Sequence, residues 1–172
     1  MRLGARAKAA LVAALFVLPI AASFVAYRFF RPAPTANYGE LLLPPAQLGA
    51  HAFEGLHGRW ILIAADSGDC ADSCQRKLHA MRQVRLALGR NASRVARVLA
   101  IDDARQANPN LAADTGLEVS RGVAVPPGAS SDRFHIYLAD PHGNVILRWP
   151  ADPDLRRMYQ DIDRLLKASQ IG

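Results

Sequence analysis

The sequence predicts an α/β domain behind a single N-terminal transmembrane helix, and two observations support this. Residues 9–27 are nineteen consecutive positions without a charge, close to the ~20 residues that a helix needs to cross a membrane. After residue 57, short apolar runs alternate with helical apolar stripes, which is typical of α/β domains. We therefore predict a cytoplasmic tail over 1–8, a transmembrane helix over 9–28, a tether over 29–57 and a folded domain over 58–172.

The net charge of +6 belongs to the N-terminal segment. Residues 1–31 carry five cations and no acid, whereas the other 141 residues hold 16 cations and 15 acids. This excess beside an apolar helix indicates a membrane and argues against nucleic acid as a partner. The positive-inside bias predicts insertion in the inner (plasma) membrane, with the domain on the periplasmic, extracytoplasmic side. A cleaved signal peptide is the alternative, and it exports the domain equally.

The remaining elements follow in order along the chain. Residues 29–57 are rich in proline and glycine, which predicts a tether with extended pieces instead of a helix or a central strand. Beyond it we predict strands over 58–66, 94–103, 133–140 and 145–149, a helix from Cys70 to about Leu88 that ends at Gly89, and a short helix near 106–115. The turn letters DPHGN make the last two strands a hairpin. A C-terminal helix begins with Asp152 as N-cap and Pro153 in its first position.

A β-α-β unit followed by a hairpin and a terminal helix is the thioredoxin-like arrangement. The only two cysteines, Cys70 and Cys74, fall where the first strand of this unit passes into its first helix. They lie on one helix face and can form a redox couple, a pair of soft metal ligands or a structural disulfide. A helix N-terminus stabilises a thiolate and lowers a thiol pKa from about 8.5, to as low as ~3.5–7.5. A structural disulfide is the weaker interpretation, because so short a loop gains little from closure.

Charged side chains surround this turn on both sides. Asp66, Asp69 and Asp72 would oppose thiolate formation and favour a bound cation. The helix that follows is basic, with no acid between Gln75 and Arg97. Such a stretch is most simply a solvated helix face.

At these residues the chain resembles the Sco/SenC family of membrane-anchored, thioredoxin-like proteins. The resemblance is carried by the N-terminal anchor, by the Cys70–Cys74 CxxxC motif, by VLAIDD in the second strand and by IYLADPHGNV in the hairpin. It implies a role in cytochrome c oxidase assembly, either delivering copper or reducing the cysteines of the copper site. It also implies copper as a cofactor and an oxidase subunit, or another thiol protein, as the partner.

The chain departs from that family at its third copper ligand. The family's histidine lies five residues before the tyrosine of the IYL strand, and counting back from Tyr137 gives Asp132. Asp132 is a poor partner for Cu(I).

His135 should face the opposite side of a regular strand. The other histidines, at positions 51, 57, 79 and 142, are most simply ordinary side chains. The metal-site hypothesis is thus Cys70 and Cys74, with Asp132 or His135 as third ligand. Gln75 also replaces the family's proline.

Three functions follow from this sequence. The first is an exported, membrane-anchored Sco-like protein that exchanges disulfides or handles copper, with Cys70 attacking and Cys74 resolving. The second is a non-catalytic thioredoxin-like scaffold with a structural disulfide. The third is a general periplasmic thiol-disulfide oxidoreductase, which the missing cis-proline before the IYL strand disfavours.

Overall fold

The computed structural model describes residues 4–29, 37–49, 53, 55–56, 58–101, 108–121 and 133–169. The chain divides into two compact units, Met1–Ala36 and Asn37–Gly172. The folded domain therefore begins at Asn37, earlier than the boundary at residue 58 that the sequence predicts. The difference comes from a strand within the predicted tether.

In the first unit the described residues form the helix α1 (Ala5–Phe29), which includes Pro19. Every side chain described between residues 11 and 26 is exposed. Among the residues that the structure describes, no helix combines the length and the hydropathy required of a membrane span. The transmembrane helix over 9–28 remains a prediction.

The second unit is built on one six-stranded sheet. Its strands are β1 (Glu40–Gln47), β2 (Trp60–Asp66), β3 (Val95–Ile101), β4 (Leu117–Arg121), β5 (His135–Ala139) and β6 (Asn144–Pro150). They lie in the order β1-β6-β5-β2-β3-β4. Strands β2, β3 and β4 run parallel to one another, while the β2–β5, β5–β6 and β1–β6 pairs are antiparallel. Every residue of β2 and β3 is buried, as expected for central strands with both faces covered.

Two helices, α2 (Asp72–Ala87) and α3 (Leu155–Ala168), share the core on one face of this sheet. Their buried apolar residues pack with those of the sheet in a single cluster, which includes Leu78, Met81, Val84, Met158, Ile162 and Leu166. A second cluster covers the opposite face and includes Phe53 and Leu56 with Ile61, Ile63 and Tyr137. Two 3₁₀ segments, Gly89–Arg94 and Pro109–Ala113, connect the elements around β3.

The predicted order of elements matches this fold, with three differences. The predicted tether contains β1, an edge strand that tolerates Pro44 and Pro45 because its register is irregular between Leu41 and Ala46. The segment predicted as a helix near 106–115 contains the 3₁₀ segment Pro109–Ala113, and β4 follows it. The N-cap of α3 is Asp154 and not Asp152, because the Asp154 carboxylate accepts a hydrogen bond from the Arg157 N–H at 3.1 Å.

A buried carboxylate fixes the beginning of the domain to its end. Asp161 of α3 accepts hydrogen bonds from the backbone N–H groups of Tyr38 (3.1 Å) and Gly39 (2.8 Å). It also accepts one from the indole N–H of Trp149 at 3.1 Å. Three donors satisfy a carboxylate that is only 2% exposed, so the segment preceding β1 is tied to the core.

Candidate functional site

Cys70 and Cys74 form a disulfide at the start of α2, with their Cα atoms 5.0 Å apart. Cys70 precedes the helix, and Cys74 lies in its first turn. The separation is within the usual Cα–Cα range of about 4.4–6.8 Å for disulfides. The spacing of four residues is bridged because Cys70 lies in the turn and not in the helix.

The backbone of Cys70 has the left-handed conformation, with φ at +46°. Its N–H donates a hydrogen bond to the Ser67 carbonyl at 3.2 Å, which closes the turn after β2. A positive φ costs a non-glycine residue about 1–3 kcal/mol and occurs often at functional sites. The next residue, Ala71, is the N-cap of α2 and has no side chain that caps the helix. The backbone N–H groups in the first turn of α2 therefore have no hydrogen-bond acceptor in the N-cap side chain.

Both sulfur-bearing residues are buried, Cys70 with 2% and Cys74 with 0% of its surface exposed. Cys70 nevertheless lines a cavity of about 400 Å³, which Cys74 does not line. The walls of this cavity come from α2 and from residues 108–114 around the second 3₁₀ segment: Gln75, Leu78, His79, Arg82, Asn108, Leu111, Ala113 and Asp114. The two cysteines thus differ in access, and Cys70 is the one adjacent to open space.

The wall opposite α2 is attached to the cysteine turn. The Asn108 backbone N–H donates to the Gly68 carbonyl at 2.8 Å. Its side-chain amide donates to the Asp69 carbonyl at 3.3 Å. Gln75 of α2 donates to the Cys70 carbonyl at 3.4 Å. These bonds hold both walls of the cavity against the turn that carries Cys70.

A buried lysine neutralises the acid at the end of β2. The Lys77 ammonium, 0% exposed, lies 2.7 Å from the Asp66 carboxylate. It also donates to the carbonyls of Ala65 (2.7 Å) and Arg133 (2.8 Å). The sequence predicts that the acidic turn favours a bound cation, and the cation at Asp66 is this lysine of the same chain. Its hydrogen bonds join α2 to the end of β2 and to the residues just before β5.

The remaining acids of the turn are exposed. The Ser67 hydroxyl donates to the Asp69 carboxylate, and this bond holds the pKa of Asp69 below its ordinary value of 3.8. Asp72 lies in the first turn of α2, where a negative charge is favourable beside the helix N-terminus. The positive charge of Arg133 also lowers the pKa of Asp69, so the residue preceding Cys70 is held as an anion.

Of the proposed metal ligands, Cys70 and Cys74 come together, and His135 does not join them. Asp132 lies outside the described residues, as do His51 and His57. His135 precedes Ile136, which packs in the cluster with the cysteines, and shares its strand face with Tyr137, which packs in the opposite cluster. It is thus directed away from the disulfide, as the sequence predicts. Among the described residues no three histidine, cysteine or acidic side chains form a metal-binding group.

Lys77 and the cavity wall that contains Asn108 are not among the site residues that the sequence predicts. Cys74, Lys77, Met81 and Val84 follow the three-four spacing of a buried helical stripe. A lysine on such a stripe needs a buried acid, and Asp66 at the end of the preceding strand was the available partner. Asn108 and Leu111 carry no comparable local pattern, since only the tertiary fold brings them to the cysteines.

The chain belongs to the family described as transmembrane-like, thioredoxin-like, C-terminal domain, whose model matches residues 60–169. Solved structures confirm the resemblance in fold to Sco proteins. Apo Sco1 from Thermus thermophilus is 16% identical, with 77% of this chain and 99% of that chain covered and a TM-score of 0.56. Yeast Sco1 with copper bound is 17% identical, with 79% and 96% covered and a TM-score of 0.55.

A third similar structure is that of BsSco, described as a member of the Sco family of cytochrome c oxidase assembly proteins with a disulfide switch. It is 16% identical, with 79% of this chain and 98% of that chain covered and a TM-score of 0.50. A search of curated protein sequences gave no significant match. These similarities establish a mixed α/β, thioredoxin-like fold of the Sco type.

Proposed function

We propose that the chain is an exported, membrane-anchored Sco-like protein that exchanges thiols and disulfides during cytochrome c oxidase assembly. One observation carries the proposal: Cys70 and Cys74 form a disulfide at a strand–helix junction, and Cys70 lines an open cavity. The assembly role is supported by the description of BsSco, a protein of the same fold with a disulfide switch. Cys70 is the reacting sulfur and Cys74 the resolving one.

Copper handling is supported less well by the residues of this chain. Yeast Sco1 was solved with copper bound. Here the two sulfurs are joined in a disulfide, and the described residues supply no third ligand beside them. Cu(I) prefers thiolate and thioether sulfur, so reduction must precede any binding. The described residues do not complete a copper site, and no step of the proposed reaction involves copper.

The membrane anchor and the extracytoplasmic location belong to this proposal. They are supported by the nineteen uncharged residues at 9–27, the 25-residue helix α1 and its exposed apolar side chains, such as Leu15, Phe16 and Ile20. Protease digestion of intact spheroplasts tests the location, because an exported domain is degraded without lysis. An intact amino terminus in the mature protein distinguishes the anchor from a cleaved signal.

A structural disulfide in a non-catalytic scaffold is the second candidate, and the burial of both cysteines favours it. The reduction potential of the pair in the full-length protein separates the two functions. Exchange-active pairs have potentials between about −270 and −120 mV, whereas structural disulfides lie below about −300 mV. We expect a value in the first range, and a value below −300 mV would support the scaffold.

Loss of the protein in cells then separates an assembly role from general oxidoreductase activity. An assembly factor predicts reduced cytochrome oxidase activity while other exported disulfide proteins mature normally. Broad failure of disulfide formation would instead indicate the general oxidoreductase. A matched strain carrying the Cys70→Ser chain shows whether the phenotype depends on the disulfide.

A further inference from the structure

The cavity beside Cys70 is an open groove with an apolar base and a basic side. Leu78 of α2 and Leu111 of the 3₁₀ segment supply apolar surface. His79 and Arg82 lie on the α2 side and are both exposed. The volume of about 400 Å³ is that of a few side chains. It fits a short segment of a partner and not a large cofactor.

In the described part of the chain, Arg82 is the uncompensated charge of the groove, because the one acid that lines it, Asp114, is already neutralised within the fold. Asp114 forms a two-point ion pair with the guanidinium of Arg97, with both N–O distances at 3.0 Å. Arg97 is 2% exposed and also donates to the Thr115 carbonyl at 2.8 Å, so this pair is fixed within the fold. Arg82, by contrast, has no partner among the described residues.

The acids near α2 lie elsewhere. Asp72 and Asp152 line a neighbouring cavity of about 440 Å³, to which Arg76 also contributes, and neither acid lines the groove beside Cys70. Gln75 and His79 line both cavities. The charge next to the reactive sulfur is thus basic on the α2 side, although the turn itself carries Asp69.

We propose that this groove binds an extended partner segment in which a carboxylate side chain flanks the reacting cysteine, a proposal that rests on the thiol-exchange function above. Arg82 receives the carboxylate, and the groove directs the partner's cysteine to Cys70. The partner thiolate attacks the Cys70 sulfur, the Cys70–Cys74 bond breaks, and Cys74 leaves as a thiolate that takes up a proton. A second partner cysteine then attacks the partner sulfur of the mixed disulfide and releases Cys70. Two electrons pass from the partner dithiol to the chain, and the reverse reaction starts with Cys70 attacking a partner disulfide.

The experiment uses the oxidised full-length chain in detergent and two synthetic dithiol peptides of equal length. One peptide has glutamates flanking its first cysteine, and the other has lysines. At low salt we expect the acidic peptide to reduce the chain about tenfold faster, a preference that 0.5 M salt abolishes. The Arg82→Glu chain should reverse the preference. The matched control, Arg90→Glu, changes an exposed arginine that does not line the groove, and it should keep the preference.

The uncharged thiol β-mercaptoethanol separates this inference from the proposed function. It should open the disulfide at equal rates in the wild-type and Arg90→Glu chains. Equal reduction by the two peptides, with normal opening by β-mercaptoethanol, would overturn the docking proposal alone. A folded chain that resists β-mercaptoethanol entirely would overturn the exchange function and the docking together.

Discussion

Lys77 and Asp66 form an ion pair at 2.7 Å in which the lysine is wholly buried and the aspartate side chain is 9% exposed. The pair joins the helix that carries Cys74 to the strand that precedes Cys70. The Lys77 ammonium also binds the Arg133 carbonyl, so one cation connects α2 with the segment leading into β5. A single side chain therefore connects three parts of the fold that meet near the disulfide.

Replacing Lys77 by methionine should destabilise the domain by about 3–5 kcal/mol, because it leaves the Asp66 carboxylate buried without its cation. Urea unfolding measures this change. Adding Asp66→Asn should recover part of the loss, since it removes the uncompensated charge. Arg76→Ala, at an exposed neighbouring position, is the control and should change stability by less than about 0.5 kcal/mol. A loss below about 1 kcal/mol for Lys77→Met would contradict the role given to this pair.

The Trp149 indole fills the space that a side chain at Gly39 would need. A Cβ at this position would lie 2.5 Å from Nε1 and 2.9 Å from Cε2 of the buried Trp149. Gly39→Ala should therefore cost about 1–3 kcal/mol through overpacking. Gly49→Ala is the matched control, because nothing lies within 4 Å of the added atom. Thermal unfolding of both variants measures the difference, and equal melting temperatures would show that the contact is relieved without cost.

Asp161 should be more important for stability than the neighbouring acid on its helix. Asp161→Ala removes the acceptor of three hydrogen bonds and leaves the N–H groups of Gly39 and Trp149 buried without partners, at about 1–3 kcal/mol for each unsatisfied group. Asp163→Ala breaks a surface i,i+4 pair with Lys167, worth about 0.3–0.5 kcal/mol. Hydrogen exchange at the amides of Tyr38 and Gly39 should increase only in the Asp161 variant. Protection that persists at these amides would mean that another contact holds the segment.

The turn that bears Cys70 contains an acid with a lowered pKa, and Ser67 is its largest cause. Ser67→Ala should raise the pKa of Asp69 toward 3.8, as followed by the NMR titration of its carboxyl carbon. Because the folded pKa is depressed, the stabilising contribution is present above pH ~4 and is lost as the pH falls through the folded value. An unchanged pKa would show that the hydroxyl does not bond this carboxylate in solution.

The sequence predicted those elements whose signal is local. The apolar run Trp60–Asp66, the turn around Gly143 and the stripe of α3 each carry their own pattern, and all three appear where expected. Strand β1 could not be predicted, because Pro44 and Pro45 disfavour a strand and its position depends on pairing with β6. Strand β4 is five residues long and has no buried residue, so its periodicity is weak.

For the site too, the sequence predicted only the features that have a local signal. The position of the two cysteines at a strand–helix junction follows from the apolar run before them and the helical pattern after them. Three other features of the site depend on contacts between segments distant in sequence, for which a single sequence gives no local signal. They are the burial of the two cysteines, the Lys77–Asp66 ion pair and the cavity wall that contains Asn108. The expected orientation of His135 was correct because strand alternation is a local rule.

The proposed thiol exchange depends most on Cys70 being the sulfur that reacts. The most direct test compares reduced full-length Cys74→Ser and Cys70→Ser chains in their reaction with the neutral disulfide 4,4′-dithiodipyridine. We predict a mixed disulfide at least about tenfold faster through Cys70, because Cys70 lines the cavity and Cys74 is walled off. In denaturant the two rates should become similar. Equal rates in the folded protein, or a faster reaction through Cys74, would contradict the account.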